Sequence, residues 1–328
     1  MRIAINGMGR IGRLLFRRLI EDENFEVAAV NDLMPEKNLA YLLKYDSVYG
    51  TFCDEVKANE QALIVNGKEI KAFRESDPAS LPWKALEVDV VLECTGKFIT
   101  KEGASKHLQA GAKKVLLSTT GSDDIPLGIF GHNHNGNSGN IDILSPGGCM
   151  TNCSVHVLYV LNTIGIQSVH LNILHSYTSR QALVDMPNDQ FRRGRAAAES
   201  IIPVVIDLHK SLIRLMPALK NKINVFSTRI PVANGAMASF SVQLKEEVTT
   251  DQLNKMFQKT AKNNYQGIMD FTEEPLVSLD IKSNSHSCII DGTQTSAIGN
   301  HVRVVAWFDN EFGFTSRMID WLNYWNKK

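Results

Sequence analysis

The sequence predicts an α/β domain on a parallel sheet over residues 1–148, followed by an α+β domain with a mostly antiparallel sheet over 149–314. A last helix at 315–328 is expected to return to the first domain. Three observations carry this reading. Through the first half, short apolar runs alternate with helical patterns, which is the signature of a parallel sheet covered on both faces. Through the second half, long strand-like runs follow one another mostly without helices between them. At the junction stand two flexible glycines and a cysteine, Gly147-Gly148-Cys149, and 328 residues are enough for two domains of ordinary size.

In chain order, Arg2–Asn6 reads as a strand, Gly7-Met8-Gly9-Arg10-Ile11-Gly12 as a turn, and the next residues to about Ile20 as an amphipathic helix. A second strand, Glu26–Val30, runs into Asn31-Asp32, 20 positions after the last glycine of the turn. A lone G-x-G-x-x-G says little. One that follows a strand, opens a helix and is trailed by an acid at this distance points to a Rossmann-type dinucleotide site. Its glycines let the backbone approach a pyrophosphate at a helix N-terminus. Asp32 would accept hydrogen bonds from the adenosine ribose and repel a 2′-phosphate, so NAD is expected over NADP. The alternative is a tight strand-to-helix turn with no ligand.

Beyond the turn, Ala62–Val65 and Glu69–Phe73 flank Asn66-Gly67, a type I′ hairpin signal. Val88–Leu92 is a strand ending at Glu93-Cys94-Thr95-Gly96, a helix covers Lys101–Ala110, and Lys114–Leu117 is a strand ending at Ser118-Thr119. Ligands meet such sheets at the carboxyl ends of the strands, so Thr95, Gly96 and Ser118 are candidate cofactor neighbours.

Met150–Thr163 carries apolar residues near a helical period, which puts Cys149 on the first turn of a buried helix. Unpaired amides and the positive dipole end there favour a thiolate. His175 follows 26 residues later, at the end of the apolar run Val169–Leu174. A thiolate beside an imidazole is an activated nucleophile; the alternative for Cys149 is a buried small hydrophobe. Val169–Ser176, Val225–Pro231, Met237–Leu244 and Val302–Phe308 read as strands of the second sheet. Between the first two lies Tyr177–Pro203, long for a connection and rich in arginine, hence functional or at an interface. Thr315–Tyr324 reads as the last helix.

Thirty-five basic residues balance 35 acidic ones, and no basic patch carries interleaved aromatics, so no nucleic-acid partner is expected. No apolar run reaches membrane-spanning length. Five scattered cysteines and no signal-peptide pattern at the start favour a reducing cytoplasm. His132 and His134 in the turn His132–Asn140 lack an evident third ligand, so no metal is expected.

Several stretches together resemble the glyceraldehyde-3-phosphate dehydrogenase family: Ala4–Arg13, Val30-Asn31-Asp32-Leu33, Cys149-Met150-Thr151-Asn152-Cys153, His175-Ser176-Tyr177-Thr178, Arg193–Ala197 through Pro203, and Trp307–Gly313. The resemblance implies oxidation of a phosphorylated aldehyde through a thioester on Cys149, with His175 as the base. It implies that Asn310 orients the nicotinamide amide, beside the cofactor contacts expected from Gly7, Gly9, Arg10, Ile11, Gly12, Asp32, Thr95, Gly96 and Ser118. Thr178 and Arg229 match the substrate-phosphate site, and Leu33 and Pro187 match NAD-using members. It implies a homotetramer in which Tyr177–Pro203 packs across a dimer axis, and it gives Cys153 no required chemistry, so burial is expected.

Two departures stand out. Gly148 and Met150 flank the cysteine where the family has serine and threonine, and Ile206-Asp207 replaces a Thr-Gly pair. Three hydroxyl donors of the inorganic-phosphate site are thereby lost and a carboxylate is gained. With His286-Ser287 through Asp291–Thr295, this favours the erythrose-4-phosphate dehydrogenase branch, where water releases the acid, as the alternative to glycolytic phosphorylation. A non-catalytic NAD-binding regulator is the alternative of another class.

Overall fold

Arg2–Asn6 forms β1 because its apolar run has both faces to bury: Ile3, Ala4 and Ile5 are fully inaccessible. The computed structural model describes residues 1–137 and 141–327; Ser138, Gly139 and Asn140 of the histidine-rich turn, and Lys328, lie outside the described residues. The chain divides into two compact units, one of residues 1–148 with the tail from Arg317, the other Cys149–Ser316.

In the first unit β1 is followed by α1 (Arg10–Leu19), β2 (Glu26–Asn31), α2 (Glu36–Lys44), a small hairpin of β3 (Tyr45–Asp46) and β4 (Gly50–Thr51), and β5 (Val56–Ala58), β6 (Ala62–Val65) and β7 (Lys68–Phe73). Then come β8 (Val90–Glu93), α3 (Lys101–Gln109), β9 (Lys114–Leu117) and β10 (Ile143–Leu144). The sheet runs β10-β9-β8-β1-β2-β7-β6-β5. All pairs from β10 to β7 are parallel, and only β7–β6 and β6–β5 are antiparallel. The Asn66-Gly67 turn joining β6 and β7 has φ of 50° and 78°, the left-handed pair that a type I′ hairpin requires. Strand order reverses at β1, which opens a crevice at the carboxyl ends of β1 and β8. α1 holds its place by burying Leu14, Leu15, Phe16 and Leu19, each worth roughly 1.5–3 kcal/mol.

The second unit holds α4 (Cys149–Leu161), β11 (Ile166–Ser176), β12 (Ile202–Val204), α5 (Leu208–Leu215), β13 (Ile223–Ile230), β14 (Ala236–Leu244), α6 (Thr250–Lys262), β15 (Met269–Thr272), β16 (Cys288–Asp291), β17 (Ser296–Ile298) and β18 (His301–Phe308). α7 (Phe312–Asn326) begins here, and from Arg317 its residues belong to the first unit. The sheet runs β12-β13-β11-β14-β18-β16-β15, with β17 on β18, and is mostly antiparallel.

Two features differ from the sequence expectation. β11 pairs parallel to β13, and β15 to β16. The parallel β11–β13 pair needs a crossover, and residues 177–222 supply it with β12 and α5. α6 also intervenes between β14 and β18, marked by a capping box in which the Thr249 side chain meets the Gln252 amide and Gln252 returns the bond. α4 is buried on nearly every side rather than along one stripe, with Cys153 fully inaccessible; it packs on β14, β16 and β18. Among the described residues, no helix is long and apolar enough to cross a membrane.

Candidate active site

At the crevice of the first unit, the glycine turn is a cradle only glycine can build. A Cβ on Gly12 would fall 2.0 Å from the Gly7 carbonyl oxygen, and one on Gly7 would fall 2.6 Å from the Thr95 nitrogen. Gly9, the N-cap of α1, instead faces open space, as does Gly96. Tight packing beneath and emptiness above fit a group that needs close backbone approach, as a dinucleotide pyrophosphate does. Asp32 is half-buried at the end of β2; its Oδ2 accepts from the Met8 amide at 2.6 Å and its Oδ1 from the Met34 amide at 3.0 Å. The carboxylate that would read the ribose thus also ties the glycine turn to β2. Arg10 pairs with Asp46 and lies 5.7 Å from the Tyr49 ring centre. Ile11 is half-buried in the first turn of α1. Ser118, after β9, donates its amide to the Glu93 carbonyl at 2.9 Å.

In the second unit, Cys149 Sγ lies 3.6 Å from His175 Nε2. His175 Nδ1 sits 2.7 Å from the Ser176 carbonyl oxygen. A carbonyl only accepts, so Nδ1 carries the hydrogen and the neutral ring presents a bare Nε2 to the thiol. The ring is buried and meets Phe308 edge-on at 6.2 Å. Burial acts against either charge alone. It pushes the Cys149 thiol up to about 11, against the pull of Arg229 and of the Met150 and Cys149 amides. It pushes His175 down to about 3, with Arg229 adding to the shift and the Ser176 carbonyl opposing it. Desolvation thus opposes the thiolate that the helix-end amides favour. Moving the proton from Sγ to Nε2 keeps the pair's net charge at zero, so it is the route to a nucleophile that burial opposes least.

Arg229 reaches this pair through sheet register, because β11 and β13 place it directly opposite His175. It is buried, donates from Nη1 to the Ser176 carbonyl at 3.3 Å, and its Nε has no hydrogen-bond partner among the described residues. Burial lowers it to about 10, with Arg193 and Arg180 adding repulsion and Cys149 opposing. Thr178 gives both its amide and its hydroxyl to Gln181 Oε1, each at 2.9 Å, while the buried Gln181 Nε2 finds no acceptor among the described residues. Buried donors that lack acceptors, among arginines that repel one another, suit an anion. Asn310 is fixed by its oxygen, which accepts from Ser176 Oγ at 3.1 Å and the Gly235 amide at 2.9 Å, so its amide nitrogen points the other way.

The second unit thus gathers Cys149, His175, Arg229 and Asn310 around Ser176, with Thr178 two residues further on; the first unit gathers the glycine turn, Asp32 and Thr95. Sequence reasoning missed Ser176, Gln181 and Glu93, whose importance lies in contacts that no local pattern records. At the histidine-rich turn, the His134 ring lies tilted against Phe130 with centres 4.5 Å apart, and its Nδ1 lies 3.1 Å from the Gly131 amide. Among the described residues, no group of three or more His, Cys, Asp or Glu is placed to hold a metal.

Comparison with known proteins adds the family. Residues 1–101 match "Glyceraldehyde 3-phosphate dehydrogenase, NAD binding domain", and residues 148–310 match "Glyceraldehyde 3-phosphate dehydrogenase, C-terminal domain". The chain is 42% identical to glyceraldehyde-3-phosphate dehydrogenase 1 of Bacillus cereus, over 100% of its own length and 99% of the relative's. It is 39% identical to glyceraldehyde-3-phosphate dehydrogenase 2 of Bacillus subtilis (99% and 96% covered) and 40% identical to the enzyme of Borreliella burgdorferi (98% of both). With both domains present in order and likeness along its whole length, the chain belongs to the glyceraldehyde-3-phosphate dehydrogenase family, whose members are NAD-dependent oxidoreductases acting on an aldehyde.

Proposed function

We propose that the chain oxidises a phosphorylated aldehyde through a thioester on Cys149. The reading is carried by the 3.6 Å contact between Sγ and a His175 Nε2 left bare by the Ser176 carbonyl. Sγ bonds to the aldehyde carbon as its proton passes through Nε2 to the carbonyl oxygen, giving a thiohemiacetal. Nε2 then takes the hydroxyl proton as the C–H bond breaks, and the carbon is left as a thioester carbonyl. Bound NAD supplies the hydride acceptor; Gly7, Gly9, Arg10, Ile11, Gly12, Asp32, Thr95, Gly96, Ser118 and Asn310 are the residues proposed to hold it. Thr178 and Arg229 are proposed to hold the substrate phosphate. A nucleophile finally attacks the acyl carbon and returns the sulfur as a thiol.

Rapid mixing of enzyme, NAD and glyceraldehyde 3-phosphate without inorganic phosphate should give a burst of NADH equal to the enzyme sites before slower turnover, with acyl mass on the Cys149 peptide. Absence of both burst and adduct would sink the thioester reading. Selective alkylation of Cys149 by iodoacetate over the other four cysteines separates the enzyme from a non-catalytic NAD-binding regulator, which would label slowly and evenly.

A second reading concerns release. Asp207 stands at the N-cap of α5, paired with Lys210 at 2.8 Å, and that hydrogen bond holds its carboxyl below the usual range, so it stays an anion near neutral pH. With Gly148, Met150 and Ile206, this favours release by water and an erythrose-4-phosphate type of substrate over phosphorolysis. NADH production that depends steeply on phosphate and vanishes without it would exclude release by water.

Leu183, Val184, Met186, Phe191, Ile201 and Val205 are exposed in or just beyond the long connection after β11, more apolar surface than a solitary surface loop carries. This supports self-association, and a homotetramer is the assembly proposed. Five free cysteines, one of them the nucleophile, suit a reducing cytoplasm.

A further inference from the structure

Beneath the dinucleotide crevice lies a buried polar group that the proposed chemistry does not use. Glu93 ends β8 and is 1% exposed, yet its carboxylate receives four donors. Oε2 accepts from Asn6 Nδ2 at 2.6 Å and from His107 Nε2 at 3.0 Å. Oε1 accepts from the Thr95 amide at 2.8 Å and from the Thr95 hydroxyl. The direction of the histidine bond is set from behind, because Trp83 Nε1 is a donor only and gives its hydrogen to His107 Nδ1 at 3.0 Å. His107 Nε2 is then the nitrogen that donates to Glu93. Asn6 Oδ1 in turn accepts from Asn31 Nδ2 at 2.7 Å, and Asn31 Oδ1 accepts from the Glu75 amide at 2.8 Å. The network thus fastens together the carboxyl ends of β1, β2 and β8, the three strand ends around the crevice.

Its open end reaches the glycine turn. Thr95, held by Glu93 through both amide and hydroxyl, is the residue on which Gly7 packs so closely that a Cβ there would lie 2.6 Å from its nitrogen. From the other side, the Gly7 amide donates to the Asn31 carbonyl at 2.8 Å. Gly7 is therefore clamped between two residues of one network. A buried carboxylate is costly unless each lone pair is used. An apolar core would hold the strands together at least as well, but it would not fix a polar turn at a set height above the sheet.

We propose that Glu93 is a positioning residue for NAD: its carboxylate, locked by Asn6 and His107, seats Thr95 against Gly7 and so sets the glycine turn in its ligand-binding form. Only the NAD-binding character of the first unit is required, not the thioester chemistry of the second. Glutamine has the same shape but brings one acceptor oxygen and an NH₂ group that must face donors on one side, so Glu93→Gln should loosen Thr95.

The test is titration of NAD into purified Glu93→Gln, by calorimetry or by quenching of protein fluorescence, with far-UV circular dichroism confirming a folded protein. The expected result is an NAD dissociation constant raised about tenfold or more. KM for NAD should rise in step, kcat at saturating NAD should stay within about threefold, and alkylation of Cys149 without NAD should be unchanged. A folded variant that melts lower but binds NAD as tightly as the parent would make Glu93 a stability residue and overturn the proposal. Should Glu93→Gln not fold, His107→Leu removes one donor and leaves the carboxylate; a smaller weakening of NAD affinity, about threefold, is expected. Unchanged affinity in that variant overturns the proposal equally.

Discussion

His107 and His175 are both buried imidazoles beside a group that can hold a proton, and they are built for opposite ends. His107 is inaccessible and spent on both sides, with Trp83 at Nδ1 and Glu93 at Nε2. His175 is fixed on one side only, by the Ser176 carbonyl, and its other nitrogen meets a thiol at 3.6 Å. A ring with both nitrogens committed to good partners resists change, because any proton shift breaks a bond that the interior cannot replace. A ring with one nitrogen committed is held in orientation and still free to take a proton. Two histidines of similar burial thus separate into scaffold and candidate base by counting partners, and burial by itself does not distinguish them.

The largest test of the contrast is Cys149→Ser. Replacing the sulfur should lower kcat on the order of 10⁴-fold or more, while NAD affinity by titration stays as it was. Turnover at a rate near the parent's would move the nucleophile elsewhere. His175→Asn should lower kcat by about 10²–10⁴-fold, the usual range for a positioned base. It should also change how the thiol titrates. Without Nε2 to take the proton, Cys149 must ionise alone against burial, so its alkylation by iodoacetamide should rise only at a clearly higher pH than in the parent. The parent, which can pass the proton to Nε2, should react well below that pH. Identical profiles in the two proteins would mean that His175 is as inert as His107.

Much of this site could be read from residues alone, for identifiable reasons. The glycine turn and Asp32 lie within one βαβ unit, where spacing along the chain is spacing in the fold. Cys149 at a helix start and His175 at a strand end are local facts of the same kind. Arg229 is legible only through family likeness, since its place beside His175 depends on a parallel register across a 46-residue crossover, 177–222, that no period encodes. Glu93 looked like the polar end of an apolar run; its burial comes from Asn6 and His107, far away in sequence. The opposition of burial to a thiolate at Cys149 is not legible, because helix-end amides are visible in a sequence and the depth of burial is not. α6 is marked in the sequence as well, for Thr249-x-x-Gln252 is a helix start written in the residues.

Asp32 joins the two kinds of role within one side chain and gives a smaller effect. Asp32→Ala removes the proposed ribose acceptor and also the partner of the Met8 and Met34 amides. NAD affinity should fall about tenfold, the preference over NADP should narrow, and stability to urea should drop by about 1–3 kcal/mol. Cofactor preference unchanged alongside lost stability would place Asp32 with His107, as scaffold, and assign the ribose to another residue.

The smallest effect should come from Trp83→Phe, which probes the scaffold histidine without touching the crevice. The substitution keeps the ring in its apolar pocket among Ala4, Ala29, Leu81, Val88 and Val91 and deletes only the donor to His107 Nδ1. One buried acceptor is left unmet, which should lower stability by about 1 kcal/mol in urea unfolding. Nδ1 is no longer obliged to accept, so only the Glu93 carboxylate, itself an acceptor alone, still holds the proton of His107 on Nε2. Nitrogen-15 chemical shifts of the imidazole should therefore still report a single Nε2–H form, while Cys149 alkylation keeps its parent rate. If the shifts move toward a mixture, Glu93 alone does not suffice to hold the tautomer, and the partner count that sets His107 apart from His175 would rest on two bonds instead of one.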